Sequence, residues 1–170
     1  TGELVMEMEQ APTPFPQEAA TGKRVAVIGA GPAGMSAAYY LGLRGHAVTV
    51  FDRREKQGGM LRCGIPEYRL PKVKLDKELN CVWQLRDTEF KGGLELGRDF
   101  TVDDLLTQGY DAVFLGIGAD VSNEMRVPGE DRPGVLPAVQ FLRDNASGVP
   151  VPVGKGTRVI VLGGGFTAFD

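Results

Sequence analysis

The feature that most constrains this chain is an apolar run, Val25-Ala26-Val27-Ile28, that passes directly into Gly29-Ala30-Gly31-Pro32-Ala33-Gly34. The run has the character of a buried strand, and the turn has the GxGxxG spacing that opens a helix. Each position has a task. Gly29 permits the tight turn, Gly31 lets the backbone approach a pyrophosphate with no Cβ in the way, and Gly34 lets the helix pack close to the sheet. Pro32 suits the first helical turn, where a missing N–H costs nothing. The anion sits at the helix N-terminus, where free N–H groups and the helix dipole favour it. A second strand, Ala47–Phe51, ends at Asp52, 21 residues beyond Gly31. An acid there can hydrogen-bond the ribose hydroxyls, which favours FAD or NAD over NADP. The adjacent Arg53 and Arg54 pull the other way, because arginines there can accept a 2′-phosphate.

The rest of the chain reads as α/β. A helix is predicted over Pro32–Arg44, completing a βαβ unit. Residues 53–71 form a long irregular loop, of a kind that is usually functional. A helix is expected over Lys72–Arg86, with Val73, Leu75, Leu79, Val82 and Trp83 on its apolar side. A short strand is expected at Leu94–Leu96. Thr101 and Asp104 form a capping box opening a helix to about Gln108. A buried strand is predicted at Ala112–Leu115, ending in Gly116-Ile117-Gly118, and a short helix at Leu136–Asn145.

A second glycine turn, Gly163-Gly164-Gly165-Phe166-Thr167-Ala168, follows the apolar run Val159–Leu162, so a second strand-turn signal stands at 158–168. The resulting division is an arm or linker at 1–22, a nucleotide-binding domain at 23–147, a linker at 148–157, and the start of a second nucleotide-binding domain at 158–170. That pattern reads as an internal piece of a longer polypeptide.

Composition excludes several classes. A net charge of -3 argues against a nucleic-acid or anionic-membrane partner. No apolar run approaches the ~18 residues of a membrane span. Two isolated cysteines make no disulfide framework, so a cytoplasmic location is expected.

The loop carries the most specific signal. Gly58-Gly59-Met60-Leu61-Arg62-Cys63-Gly64-Ile65-Pro66-Glu67-Tyr68-Arg69-Leu70-Pro71 closely resembles the flavin loop of the glutamate synthase small-subunit family. That family includes the flavin part of dihydropyrimidine dehydrogenase and the large subunit of ferredoxin–NADP transhydrogenases. The resemblance runs from about Lys23 to Asp170, through Tyr110–Ala119 and Val127-Pro128-Gly129-Glu130-Asp131. It implies a Rossmann-like FAD-binding domain of a flavoprotein with two dinucleotide-binding domains. FAD lies on the first domain and NAD(P)H on a second one inserted into it. By the same resemblance, Gly29, Gly31, Pro32, Ala33 and Gly34 cradle the FAD pyrophosphate and Asp52 holds the ribose. Met60 and Arg69 contact the cofactor, with Arg69 near a phosphate. Phe100, at the end of the short third strand, lies near the adenine. Gly116 and Gly118 form a smaller turn where the chain passes FAD. Gly163, Gly164, Gly165, Phe166 and Thr167 approach the nicotinamide cofactor, NADP or NAD. Phe166 departs from the pattern, since many members carry Asn or Asp there.

The implied function is oxidoreduction, with hydride from NAD(P)H and electrons passed to iron–sulfur clusters outside this segment or in a partner subunit. An alternative is an electron-relay and docking module of a larger complex, such as an NAD(P)H-linked formate dehydrogenase or hydrogenase. A simple NAD-dependent dehydrogenase is a third reading, disfavoured by the 53–71 loop. No catalytic residue and no metal ligand is expected here. Cys63 and Cys81 are too far apart in sequence for a redox dithiol, and His46 reads as a turn residue.

Overall fold

The structure, a computed structural model, describes residues 15–170. Four parallel strands form one sheet: β1 (Arg24–Ile28), β2 (Ala47–Phe51), β3 (Thr88–Lys91) and β4 (Ala112–Leu115), in the order β3-β2-β1-β4. Val25 lies opposite Val48 and Ala112, and Ile28 opposite Phe51 and Leu115. Strands β2 and β3 step away from β1 on one side, and β4 steps to the other. That reversal makes a topological switch point between β1 and β4, and open α/β sheets bind ligands at the carboxyl ends of such strands. Both strands end in glycine there. The Gly29 N–H donates to the Phe51 carbonyl at 2.7 Å, and the Gly116 N–H donates to the Ile28 carbonyl at 2.7 Å.

Helices cover both faces, which is why β1 is a continuous apolar run rather than an alternating one. The helices are α1 (Pro32–Leu43), α2 (Met60–Cys63), α3 (Lys72–Leu79), α4 (Val102–Thr107), α5 (Ala138–Ala146) and α6 (Phe166–Phe169). On one face, Val25, Val27, Val48 and Val50 pack with Met35 and Ala38 of α1. On the other, Ala26, Ile28 and Phe51 pack with Leu105 of α4 and Tyr110. Val27, Val50 and Ala26 are fully buried, and each buried Val side chain stabilises the fold by about 1.5–3 kcal/mol. Helix α1 approaches closely because its inner face is small. A Cβ on Gly42 would lie 2.8 Å from Leu85 Cδ1. The expected capping box of α4 is present, with the Thr101 and Asp104 side chains bonded to each other's backbone N–H groups.

Several expectations are corrected. The third strand forms at Thr88–Lys91, not at Leu94–Leu96, where only a single Leu96–Phe100 bridge occurs. The expected helix over 72–86 stops at Leu79 and resumes as a 3-10 turn, Val82–Gln84. The Thr88 hydroxyl bonds the Val82 and Leu85 carbonyls at 2.9 Å, holding that turn so that Val82 enters the core. No strand forms over 159–162. Val159, Ile160, Val161 and Leu162 are exposed and have no neighbouring strand to complete a ladder. The expected arm at 1–22 lies partly outside the described residues. Its described part is tied down, with Glu18 N–H donating to the Leu43 carbonyl and the Gln17 side chain bonded to Gly42 and Arg86.

Candidate dinucleotide-binding site

The three glycines of the first turn separate into two kinds. Gly29 has φ +101°, and a Cβ there would lie 2.3 Å from the Gly116 carbonyl oxygen. At Gly34 a Cβ would lie 1.7 Å from the Gly29 carbonyl oxygen. Both are demanded by the packing of the protein itself. Gly31 is different. Its φ of −78° suits any residue, and a Cβ there would meet only the Gly59 Cα, at 3.9 Å. Nothing in the protein requires glycine at 31, so the space left there fits a ligand's backbone approach. The N–H groups of Gly31, Ala33 and Gly34 donate to no acceptor among the described residues, and Pro32 has none to offer. Open N–H groups at the start of a twelve-residue helix suit an anionic pyrophosphate.

Asp52 stands beside this turn and is 8% exposed. Its Oδ2 accepts the Ala30 N–H at 2.7 Å and its Oδ1 accepts the Arg54 N–H at 2.8 Å. The acid therefore braces the glycine turn. Each oxygen keeps a second lone pair for a ribose hydroxyl. Arg53 and Arg54 do not stand free. Both guanidiniums, and that of Arg143 on α5, converge on Asp120, just beyond the Gly116–Gly118 turn. Burial pushes the Asp120 carboxyl up, but the Arg54 hydrogen bond and the charges of Arg143, Arg53 and Arg54 outweigh it and hold it below its ordinary value. The sequence carries no signal for this contact, since 66 residues separate Arg54 from Asp120.

The 53–71 loop folds onto the first turn. The Gly58 N–H donates to the Ala30 carbonyl at 2.7 Å, and a Cβ on Gly59 would lie 2.7 Å from the Gly31 Cα. Lys72, also unflagged by the sequence, clasps the loop. Its Nζ donates to the carbonyls of Leu61, Ile65 and Leu70 at 3.0, 2.6 and 3.1 Å. Burial lowers its pKa despite the nearby Glu67. Met60 begins α2 and packs on Gly64. Phe100 is not at the end of the third strand. Its ring is 5.1 Å from that of Phe51, in the core against Ile28 and Leu105. Gly118 has φ +77° and open space around it.

The second turn is set against the loop from the other side. Arg69 pairs with the Asp170 carboxylate and lies 5.7 Å over the Phe166 ring. The Tyr68 hydroxyl donates to the Asp170 carbonyl at 3.0 Å. Between loop, α5 and α6 is an open cleft of about 370 Å³ that includes Met60, Ile65, Leu142, Phe166 and Thr167. Gly164 and Gly165 have nothing within 4 Å of a built Cβ, and Gly163 has only Ala168 Cβ, at 3.9 Å. The structure thus brings the first turn, Asp52, the loop and Gly116–Gly118 together, and leaves the second turn at the edge of the loop.

No group of His, Cys, Asp and Glu among the described residues is placed to hold a metal ion. Cys63 is buried against Met60 and Cys81 is half-buried, both as free thiols. Burial first, then the Glu78 charge, pushes the Cys81 thiol up. His46 pairs with the Thr21 hydroxyl at 2.7 Å beside the α1 exit, as a turn residue would. No helix among the described residues is long and apolar enough to cross a membrane.

Comparison with known proteins agrees with this geometry. The chain is 40% identical to the glutamate synthase [NADPH] small chain of Mycobacterium tuberculosis, over 92% of the chain and 34% of that protein. It is 46% identical to the NADP(+)-dependent formate dehydrogenase subunit beta of Moorella thermoacetica, over 88% of the chain and 21% of that protein. Among solved structures it superposes on Mycobacterium tuberculosis FprA in complex with NADPH, with TM-score 0.66 and 26% identity, over 75% of the chain and 30% of FprA. The chain spans about a third of the length of these glutamate synthase small chains. The expected likeness to glutamate synthase small subunits is therefore borne out. Since the family profile matches continuously over residues 23–170, the chain belongs to the pyridine nucleotide-disulphide oxidoreductase family.

Proposed function

We propose that this chain is the FAD-binding part of an NAD(P)H oxidoreductase, with FAD on the first glycine turn. The observation that carries this reading is Gly31, a glycine with ordinary backbone angles and no protein neighbour that would exclude a side chain. The N–H groups of Gly31, Ala33 and Gly34 would bind the pyrophosphate, and Asp52 would take the ribose while bracing the turn. The loop, pinned by Lys72, would hold the ring end, with Met60 at the loop's first helical position. When bound, FAD supplies the hydride-accepting and electron-passing chemistry, so this segment needs no acid or base of its own. The chain's task is to bind, orient and exclude water. NAD(P)H would bind through the second turn, Gly163–Thr167, and electrons would leave to an iron–sulfur segment or partner subunit.

Absorbance of the full-length protein tests the reading. Flavin bands that bleach on addition of NADPH or NADH are the expected result, and a flavin-free protein refutes it. The 46% identity to a formate dehydrogenase subunit favours a second reading, an electron relay within a larger complex. Co-purification with a cluster-bearing dehydrogenase subunit would select the relay. Glutamine-dependent glutamate formation with a partner subunit would select the dedicated reductase.

A further inference from the structure

The sequence sets two opposed signals side by side at the end of β2. Asp52 suits a ribose with free hydroxyls, whereas Arg53 and Arg54 suit a 2′-phosphate. The structure resolves the opposition through a fourth residue. Arg53 reaches both oxygens of Asp120, at 3.3 and 3.1 Å. Arg54 reaches Oδ2 at 3.3 Å. Arg143 donates to the same Oδ2 and to the Asp120 backbone carbonyl, each at 3.0 Å, which anchors Asp120 to α5 from two points. The Asp120 side chain is only 15% exposed. The other end of the Arg53 guanidinium faces Glu95 at 3.9 Å.

We propose that Asp120 is a specificity-determining residue of the first nucleotide site, denying a 2′-phosphate the guanidinium donors of Arg53 and Arg54. The inference rests on the reading that the first turn holds FAD. Arg53, Arg54 and Arg143 share the single Asp120 carboxylate, and Glu95, which also pairs with Arg98, faces the far end of Arg53. A 2′-phosphate would have to strip two guanidiniums from a half-buried carboxylate and then stand beside Asp52 and Glu95. A dinucleotide with a free 2′-hydroxyl disturbs none of these contacts and can donate to Asp52. The pairing also joins the exit of β2 to the exit of β4 across the switch point, so selectivity and the shape of the crevice share one residue.

The test uses the full-length protein after flavin removal, with FAD rebinding followed by quenching of flavin fluorescence. Two competitors differ only in the 2′-phosphate: adenosine 5′-monophosphate and adenosine 2′,5′-bisphosphate. This readout reports the flavin site alone, whatever binds at the second turn. In wild type the bisphosphate should compete no better than the monophosphate. In Asp120→Asn the bisphosphate should gain about tenfold or more relative to the monophosphate, the scale of one freed charge-assisted contact. Adding Arg53→Gln and Arg54→Gln should abolish that gain. An unchanged ratio in Asp120→Asn, or a gain that survives loss of both arginines, overturns the proposal. If Asp120→Asn does not fold, Arg53→Gln with Arg54→Gln beside an intact Asp120 should leave the wild-type ratio unchanged, because Asp120 already holds both guanidiniums. A fall in bisphosphate competition there would show the arginines available to the 2′-phosphate and overturns the proposal equally. Wild-type protein that fails to rebind FAD refutes the flavin placement itself, and the specificity assignment falls with it.

Discussion

The two glycine turns share a pattern and differ in what surrounds them. The first follows a strand paired on both sides, and a Cβ added at two of its glycines, Gly29 and Gly34, would lie 2.3 and 1.7 Å from backbone oxygens. The second follows an apolar run with no strand beside it, and a Cβ added at Gly164 or Gly165 would meet nothing within 4 Å. A glycine-rich turn is thus a demand of packing only where a sheet delivers the packing. At the first turn two glycines serve the fold and one is left for a ligand. At the second, the described residues assign no such division.

Substitutions should break the two turns unequally. Gly29→Ala is expected to cost most, roughly 2–6 kcal/mol, from left-handed strain together with overpacking against Gly116. Urea unfolding would show a large drop in midpoint, and a midpoint near wild type would contradict the close contact. Asp52→Ala removes the acceptor of two backbone N–H groups, for a loss of roughly 2–4 kcal/mol. Asp52→Asn should recover part of it, since its carbonyl can still take one N–H. Acid should act next. Asp120 titrates below its ordinary value of 3.8, so its contribution is complete above that pH and is lost as pH falls through the lower folded-state value. Asp120→Asn should therefore narrow its stability gap from wild type as the solution is acidified, and a gap independent of pH would refute the arginine cluster. Gly164→Ala should change stability least, by less than about 0.5 kcal/mol, because nothing described lies near it. A larger loss would show that the second turn is packed after all.

Legibility in the sequence followed the same physics. The sequence marks β2 and β4 at their observed bounds and β1 to within Arg24, because β1 and β2 are buried runs bounded by charge or glycine. Strand β4, expected to be buried, instead lies at one sheet edge with Phe114 and Leu115 exposed. Strand β3 escaped because Thr88-Glu89-Phe90-Lys91 lies at a sheet edge, half exposed, with alternating polar residues. The run Val159–Leu162 carried the same signal as β1 yet makes no strand, since periodicity reports burial and β-propensity but not the presence of a partner. At the site, the first turn, Asp52 and the loop were legible from spacing and resemblance. Asp120 and Lys72 were not. A lone Asp after Gly118 and a Lys after Pro71 acquire meaning only when the fold brings them to the arginines and to the loop carbonyls.

The central claim is that the space over Gly31 is kept for the FAD pyrophosphate. The most direct measurement is the flavin-to-protein ratio of full-length Gly31→Val, read from absorbance beside its unfolding midpoint. The account expects a folded protein without bound flavin. An unchanged flavin content in a folded Gly31→Val variant would contradict it.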